Sequence, residues 1–288
     1  MATVATIGTS TLNEVSRIKY LKSMLELSLR SALVSEKICQ VDRTEAKFIA
    51  NPYITAMTAA ISSTLGTYAL TTQATTDDTC TVQDQVSSAS HLFEFEETLS
   101  RADLYSSFVQ EMTNAVAVKV DQFVLNKVLD GATGAYTCPS GGFSSTNIVE
   151  IMSNLISKVA GFAEMYKGLF LVIENTEIPG FAAAQVNSGF SYADAALNNG
   201  FMGSFMGVDI YVVRSGVFVT TTLGSLTATN SGHRLFGVKG VATYAAPRGV
   251  QYDEKKVTLI TGREIACCAN IGAKGWTPKA SLLVDVTI

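Results

Sequence analysis

Two histidines, five cysteines and one acidic cluster are the groups from which this sequence could build an active or metal site. His91 and His233 belong to no HxxxH or HxH spacing, so neither has a second imidazole placed to share a zinc ion. Cys39, Cys80, Cys138, Cys267 and Cys268 are odd in number and contain no CxxC pair. That argues against a metal ribbon or a disulfide framework and predicts reduced thiols in a cytoplasm. Cys267 and Cys268 sit in a strand-like run, where neighbours point to opposite faces and act as small apolar fillers. Glu94 and Glu96 would share a strand face beside Glu97, but such clusters are far more often solvated or ion-paired than an acid–base dyad.

The serine and glycine patterns are equally unproductive. Gly203-Ser204-Phe205-Met206-Gly207 misplaces the serine for a GxSxG nucleophile turn. Ser16-Arg17-Ile18-Lys19 fits SxxK, yet the partner motifs of a serine–lysine hydrolase are missing. A hydrolase built on Ser16 and Lys19 would also need a base and an oxyanion site that the sequence does not offer. There is no GxxxxGK, and Gly200, Gly203 and Gly207 do not form GxGxxG and precede a strand instead of a helix. Backbone turns are the better reading of those glycines. The expectation is a chain with no catalytic residue, no metal and no cofactor.

Composition points the same way. Of 288 residues, 47% are hydrophobic and only 16% charged, against a usual quarter or so, which suggests surfaces meant to be covered by other protein. A net charge of −4 argues against tight binding to phosphate backbones. The charge is unevenly spread. Residues 71–103 hold seven acids against one base, and residues 231–288 hold eight bases against four acids. The opening MATVATIGTSTLNEV has neither a basic start nor an apolar stretch, so no signal peptide is expected. No uncharged apolar run approaches the ~20 residues of a membrane helix.

The elements that must position these residues read as follows. About 13 Thr, Ser, Ala and Gly-rich residues form an arm. An amphipathic helix over Val15 to about Lys37 carries Ile18, Leu21, Leu25 and Leu29 on one stripe, and Asn51-Pro52 marks a break. Residues 53–98 read as a long two-stranded hairpin, with TLGTYALTTQATT and HLFEFEETL as limbs and DDTCTVQDQVSSAS as an acidic tip. An isolated hairpin is marginal in water, so this one should lie on something outside its own subunit. Behind a capping signal at Ser100 and Asp103, the stripe Tyr105, Val109, Met112, Val116, Val120, Phe123 predicts an uninterrupted helix of about 30 residues. A second helix is expected from an Asn147 cap, with Ile148, Ile151, Met152, Leu155, Ile156 and Val159 on one face. Strands are expected at 169–175, 208–213, 234–246 and 255–272, the last two-part and bent at Gly262, with a short Ala-rich helix from Ile178 and a closing SLLVDVTI strand. Helices and antiparallel strands are mixed without βαβ alternation, which is an α+β fold.

This order of elements resembles the Hong Kong 97-like capsid proteins of tailed bacteriophages. NNGFMGSFMGVDIYVVRSGV (198–217) is similar to that family's Gly-rich entry into an axial-domain strand. FGVKGVATYAAPRGVQ (236–251) resembles the return from axial to peripheral domain, and KKVTLITGREIACCANIGAKGWTPKASLLVDV (255–286) the terminal peripheral strands. The resemblance implies an N-terminal arm at 1–52, an extended loop at 53–98, and a spine helix of the peripheral domain at 99–131. It further implies an axial domain at 132–246 and a return to peripheral strands, with the closing strand, at 247–288. It implies a structural protein, not an enzyme, that forms hexamers and pentamers of an icosahedral shell around double-stranded DNA. The alternative on the same fold is an encapsulin-like compartment. The implied partners are further copies of the chain, separate scaffold and portal proteins, decoration proteins, and DNA contacted weakly and non-specifically, with no membrane. The implied location is the virion capsid, after assembly in the host cytoplasm. In this family the extended loop crosses a neighbour's peripheral domain. With the charge asymmetry, that places Asp77, Asp78 or Asp84 against Arg248, Lys255, Lys256 or Arg263 across a subunit boundary.

Overall fold

The computed structural model describes residues 33–54, 75–93, 104–161, 167–188, 201–256 and 262–288. Its central element is the helix Leu104–Asp130, 27 residues and about 40 Å long. Val109, Met112, Val116, Val120 and Phe123 are all buried, so the 3.6-residue stripe faces the core; the side chain of Tyr105 lies outside the described residues. From Val120 to Leu129 the helix is enclosed almost all round, with only Lys127 half-buried. The reason is its position. It packs against the two large sheets, touching β4 (Asp84–Phe93) and β14 (Gly262–Gly275) of one and β11 (His233–Val238) and β15 (Leu283–Thr287) of the other.

The first sheet runs β1 (Gln40–Asp42), β12 (Ala242–Ala245), β14, β13 (Val250–Lys256), with β4 on the other flank of β14. β14 alternates cleanly. Ile265, Cys267, Ala269, Ile271 and Ala273 are buried, while Ala266, Cys268 and Asn270 are only half-covered. The adjacent cysteines therefore do point to opposite faces. Burial pushes the Cys267 thiol up to about 11, with the neighbouring Cys268 adding to it. The second sheet runs β5 (Gly134–Thr137), β15, β11, β6 (Leu169–Glu174), β8 (Val208–Val213), β7 (Phe201–Phe205). Pairing is parallel at β1–β12, β5–β15 and β6–β8 and antiparallel elsewhere, an α+β arrangement with mixed sheets. β6 is buried along its whole length, as its uninterrupted LFLVIE demands. The helix Ile148–Val159 buries Ile148, Ile151, Met152, Leu155 and Val159, and the helix Ile178–Ser188 follows Glu174 through one 3-10 turn.

Several expectations are corrected. Residues 77–90 are not the tip of a hairpin. β3 (Thr75–Thr81) pairs antiparallel with β2 (Phe48–Ile54), while β4 turns away and pairs with β14 over ten residues. Half of the expected loop thus has a place within its own subunit, and residues 55–74 and 94–103 lie outside the described residues. Asn51-Pro52 does not break the chain: both lie inside β2, a strand bonded on one edge only among the described residues, where a proline can forgo its N–H. Gly262 is not a bend but the start of β14, which pairs back on β13 as a hairpin with Lys256 opposite Arg263. Asn147 caps nothing with its side chain, which instead donates to the Ser140 carbonyl; the Ser144 carbonyl takes the first helix N–H from Ile148. Sheet membership also cuts across the expected boundaries, since 242–245 joins the first sheet and the closing strand 283–287 lies inside the second. Of the expected helix Val15–Lys37, only the turn Ser35–Ile38 overlaps the described residues, and the Ser100–Asp103 cap falls outside them.

The enclosure of the long helix yields a stability prediction. Val116 is 1% exposed, so Val116→Asp places an unpaired carboxylate among apolar side chains and should cost several kcal/mol. Chemical denaturation of the purified subunit should show the loss as a lower midpoint at unchanged slope; a shift below ~1 kcal/mol means the helix register is wrong.

Candidate intersubunit interface

The β2–β3 ribbon is the part of the fold least absorbed by the rest. Its register runs from Phe48 opposite Thr81 to Ile54 opposite Thr75. Period-2 alternation then sorts the side chains. Ile49, Asn51, Tyr53, Asp78 and Cys80 turn inward, and Phe48, Ala50, Pro52, Ile54, Asp77 and Thr79 turn outward and are exposed. Phe48 is 58% and Ile54 62% exposed, a largely apolar outer face on which Lys47 Nζ lies 5.5 Å from the Phe48 ring centre.

The ribbon's root is fixed firmly. Cys80 packs with Ala245 and Trp276, flanked by Ile49 and Val82. The indole N–H of Trp276 donates to Thr243 Oγ1 at 2.8 Å. Buried Asp78 accepts from Lys274 Nζ at 2.6 Å and from the Thr277 backbone N–H at 2.8 Å. Burial alone would raise the Asp78 pKa, but the hydrogen bonds from Lys274 and Thr277 and the lysine's charge outweigh it. The carboxyl is held below its ordinary value. Gly272 allows the close approach: a Cβ there would lie 2.6 Å from the Thr81 carbonyl oxygen.

The seven charged residues expected at a subunit boundary separate into three groups. Asp78 does meet a base of the C-terminal segment, but that base is Lys274 of the same chain. Asp84 accepts from the Ser225 N–H at 2.7 Å and its hydroxyl at 2.6 Å, holding down the turn between β9 (Thr222–Leu223) and β10 (Leu226–Thr227). Asp77, Arg248 and Lys255 are exposed: Asp77 opposite Pro52, Arg248 within 3.9 Å of Glu45, and Lys255 in register with Glu264. Arg248 and Asp84 share an open cleft of about 370 Å³ with Glu45, Lys47 and Asn270. The side chains of Lys256 and Arg263 lie outside the described residues. Sequence reasoning missed Phe48, Ile54, Lys274 and Trp276. The alternating Phe48, Ala50, Pro52, Ile54 was the available signal, hidden by treating Asn51-Pro52 as a break.

The remaining chemical groups are arranged structurally. His233 Nδ1 lies 2.8 Å from Asp285 Oδ1 across β11 and β15. Met206 and Gly207, at φ 52° and 80°, form the tight turn between β7 and β8, as expected of Gly207, whereas Gly203 lies inside β7 beside a register irregularity. Among the described residues no three His, Cys, Asp or Glu side chains cluster to hold a metal, and no helix is long and apolar enough to cross a membrane. Ser16, Lys19, Glu94, Glu96 and Glu97 lie outside the described residues.

The Asp78 latch should be pH-sensitive in a defined direction. Its folded pKa lies below the ordinary 3.8, so its contribution is present above that value and is lost as pH falls through the folded one. Asp78→Asn should destabilise the subunit by about 1–3 kcal/mol at pH 7 and by less at pH 3, below the carboxyl's ordinary value. Equal losses at both pH values, measured by urea denaturation, would show that the carboxylate's charge is not what holds the ribbon.

No protein-family model and no curated protein matches the chain. Solved structures do match it along most of its length. A structure of Mycobacterium phage Che8 has 13% identity and a TM-score of 0.63, with 84% of each chain covered. The capsid of cyanophage P-SCSP1u gives 12% and 0.63, covering 89% of this chain and 88% of that one. A virus-like particle from Pyrococcus furiosus gives 12% and 0.62, covering 94% and 99%. On these likenesses the chain, with two large sheets around one long helix, has the Hong Kong 97-like capsid fold.

Proposed function

We propose that this chain is the major capsid protein of a tailed bacteriophage, a non-enzymatic subunit that assembles into hexamers and pentamers of an icosahedral shell around double-stranded DNA. The observation that carries the reading is the near-full-length likeness to capsid and virus-like-particle chains, 84–94% of this chain in the three compared. The exposed apolar face of β2 supports it, because a two-stranded ribbon with Phe48 and Ile54 outward is marginal unless a neighbour covers it. In this reading the β2–β3 ribbon belongs to the extended loop and Leu104–Asp130 is the spine. The sheet around β14 belongs to the peripheral domain and the sheet around β11 to the axial domain. Scaffold, portal and decoration proteins are separate chains, and packaged DNA touches a subunit of net charge −4 weakly.

Negative-stain microscopy of the purified protein should show closed shells, and their contents separate a DNA-filled capsid from an encapsulin-like compartment holding protein cargo. Phe48→Lys with Ile54→Lys should leave the subunit's circular dichroism unchanged and abolish shells. Normal shells from that variant would remove the ribbon's outer face from the interface.

The exposed charges refine this contact. Asp77 on one ribbon faces Lys255 or Arg248 of a neighbour, each such pair contributing only ~0.2–1 kcal/mol but repeated at every subunit. Asp77→Lys should slow assembly, followed by light scattering, and Lys255→Glu together with Arg248→Glu in the same chain should restore it. A triple variant no faster than Asp77→Lys alone means these surfaces do not meet.

A further inference from the structure

β4 is the longest open strand edge among the described residues. Ten residues, Asp84 to Phe93, pair in unbroken register with β14 on one side, and no described residue pairs with the other. That leaves about 33 Å of backbone edge. Proteins usually blunt such an edge with charge, proline, a bulge or brevity, because unpaired N–H and C=O groups recruit another strand. The other open edges here are blunted in those ways. β13 carries Asp253, Glu254, Lys255 and Lys256, β2 carries Pro52, and β3 carries Asp77 and Asp78. β1, β5 and β7 are three to five residues long. β4 has none of these devices between Gln85 and Ser90, where the sequence is Gln-Val-Ser-Ser-Ala-Ser and the register shows no bulge. Its small side chains let a second backbone approach closely, and the long helix packs against the strand.

We infer that β4 pairs antiparallel with β4 of a second copy, joining the two β14 sheets into one across a twofold axis. The partner is fixed by length and charge: among the described residues, only β4 itself presents an open edge of ten residues with an uncharged run as long as Gln85–Ser90. A dyad through an antiparallel pair keeps the two faces of the sheet, so each residue must meet one of its own parity. The axis therefore passes through Ser87 or Ser88. In the first case Gln85 meets Ala89 and Val86 meets Ser88, and no charge faces a like charge. The contact rests on the shell reading as one of several joining the copies, since a single strand pair is small beside the ~1,600 Å² of a standard interface.

Hydrogen exchange on the free subunit and on assembled particles of the full chain tests it. Amides in Gln85–Ser90 that point away from β14 should exchange freely in the subunit and at least about tenfold more slowly in particles. Ser87→Lys, which sets two ammonium groups across the dyad from exposed positions, should suppress assembly, whereas Ser87→Gln should not. Particles in which those amides exchange at the subunit's rate would overturn the pairing and leave the shell reading standing. Protection already complete in the free subunit would overturn it too, because the chain would then cover its own edge. If no particles form at any concentration, the pairing and the shell reading fall together.

Discussion

Enclosing the second half of the long helix creates the constraint on which much of the irregular chain depends. Asp121, Gln122 and Asn126 are buried, so their polar atoms need protein partners, which the loops supply. Asn126 donates to the Val217 carbonyl at 2.8 Å and accepts from Asn230 Nδ2 at 3.1 Å, and Gln122 donates to the Gly216 carbonyl at 2.9 Å. The segment between β8 and β11, which has little regular structure, is thereby held to the helix. Asp121 does the same for the start of the described chain, accepting from the Val34 and Ser35 N–H groups at 3.0 and 2.9 Å and the Ser35 hydroxyl at 2.6 Å. Burial raises the Asp121 pKa, and those three donors and Lys37 only partly offset it.

The same loop is gripped from its far side. Buried Arg234 bonds Glu174 at 3.0 Å and Glu177 at 2.5 Å, and Glu174 spends its other oxygen on the Gly216 and Phe218 N–H groups. Phe218 lies under the guanidinium, 5.4 Å away. Two carboxylates around one arginine are tolerable because backbone donors share the surplus charge. The helix and the second sheet therefore meet through residues 214–230, and neither could lose its polar partner without stranding the other's.

What was legible in the sequence follows from the range of the interactions involved. The helical stripes of 109–123 and 148–159 and the alternation of 263–273 are local patterns, and each element stands where its period placed it. Strand pairing is not local. Nothing within 75–93 distinguishes a strand that pairs 27 residues upstream from one that pairs with residues near 267, so one continuous hairpin was the simplest reading and the wrong one. The burial of Asp121 and Asn126 could not be read from the helix's own period, because it is set by partners 86 or more residues away, Ser35 and Val217. The acidic and basic segments do attract each other, as their charges suggested. Composition could not say that the Asp78–Lys274 pair closes within one subunit.

That location bears on how a chain with 16% charged residues uses them. Arg234 with Glu174 and Glu177, and Asp78 with Lys274, lie at least partly inside and tie loops and ribbon to the body. Buried pairs of this kind are little screened by salt. In the proposed shell the surfaces left for other copies would be the apolar outer face of β2 and the Gln85–Ser90 edge of β4, with contacts by area and backbone hydrogen bonds. Charge would then serve the subunit's shape, and the outward Asp77 and Lys255 would act on orientation more than on strength of association. Such a division suits a shell, because subunits whose internal ties do not compete with their external contacts can add in any number without changing shape.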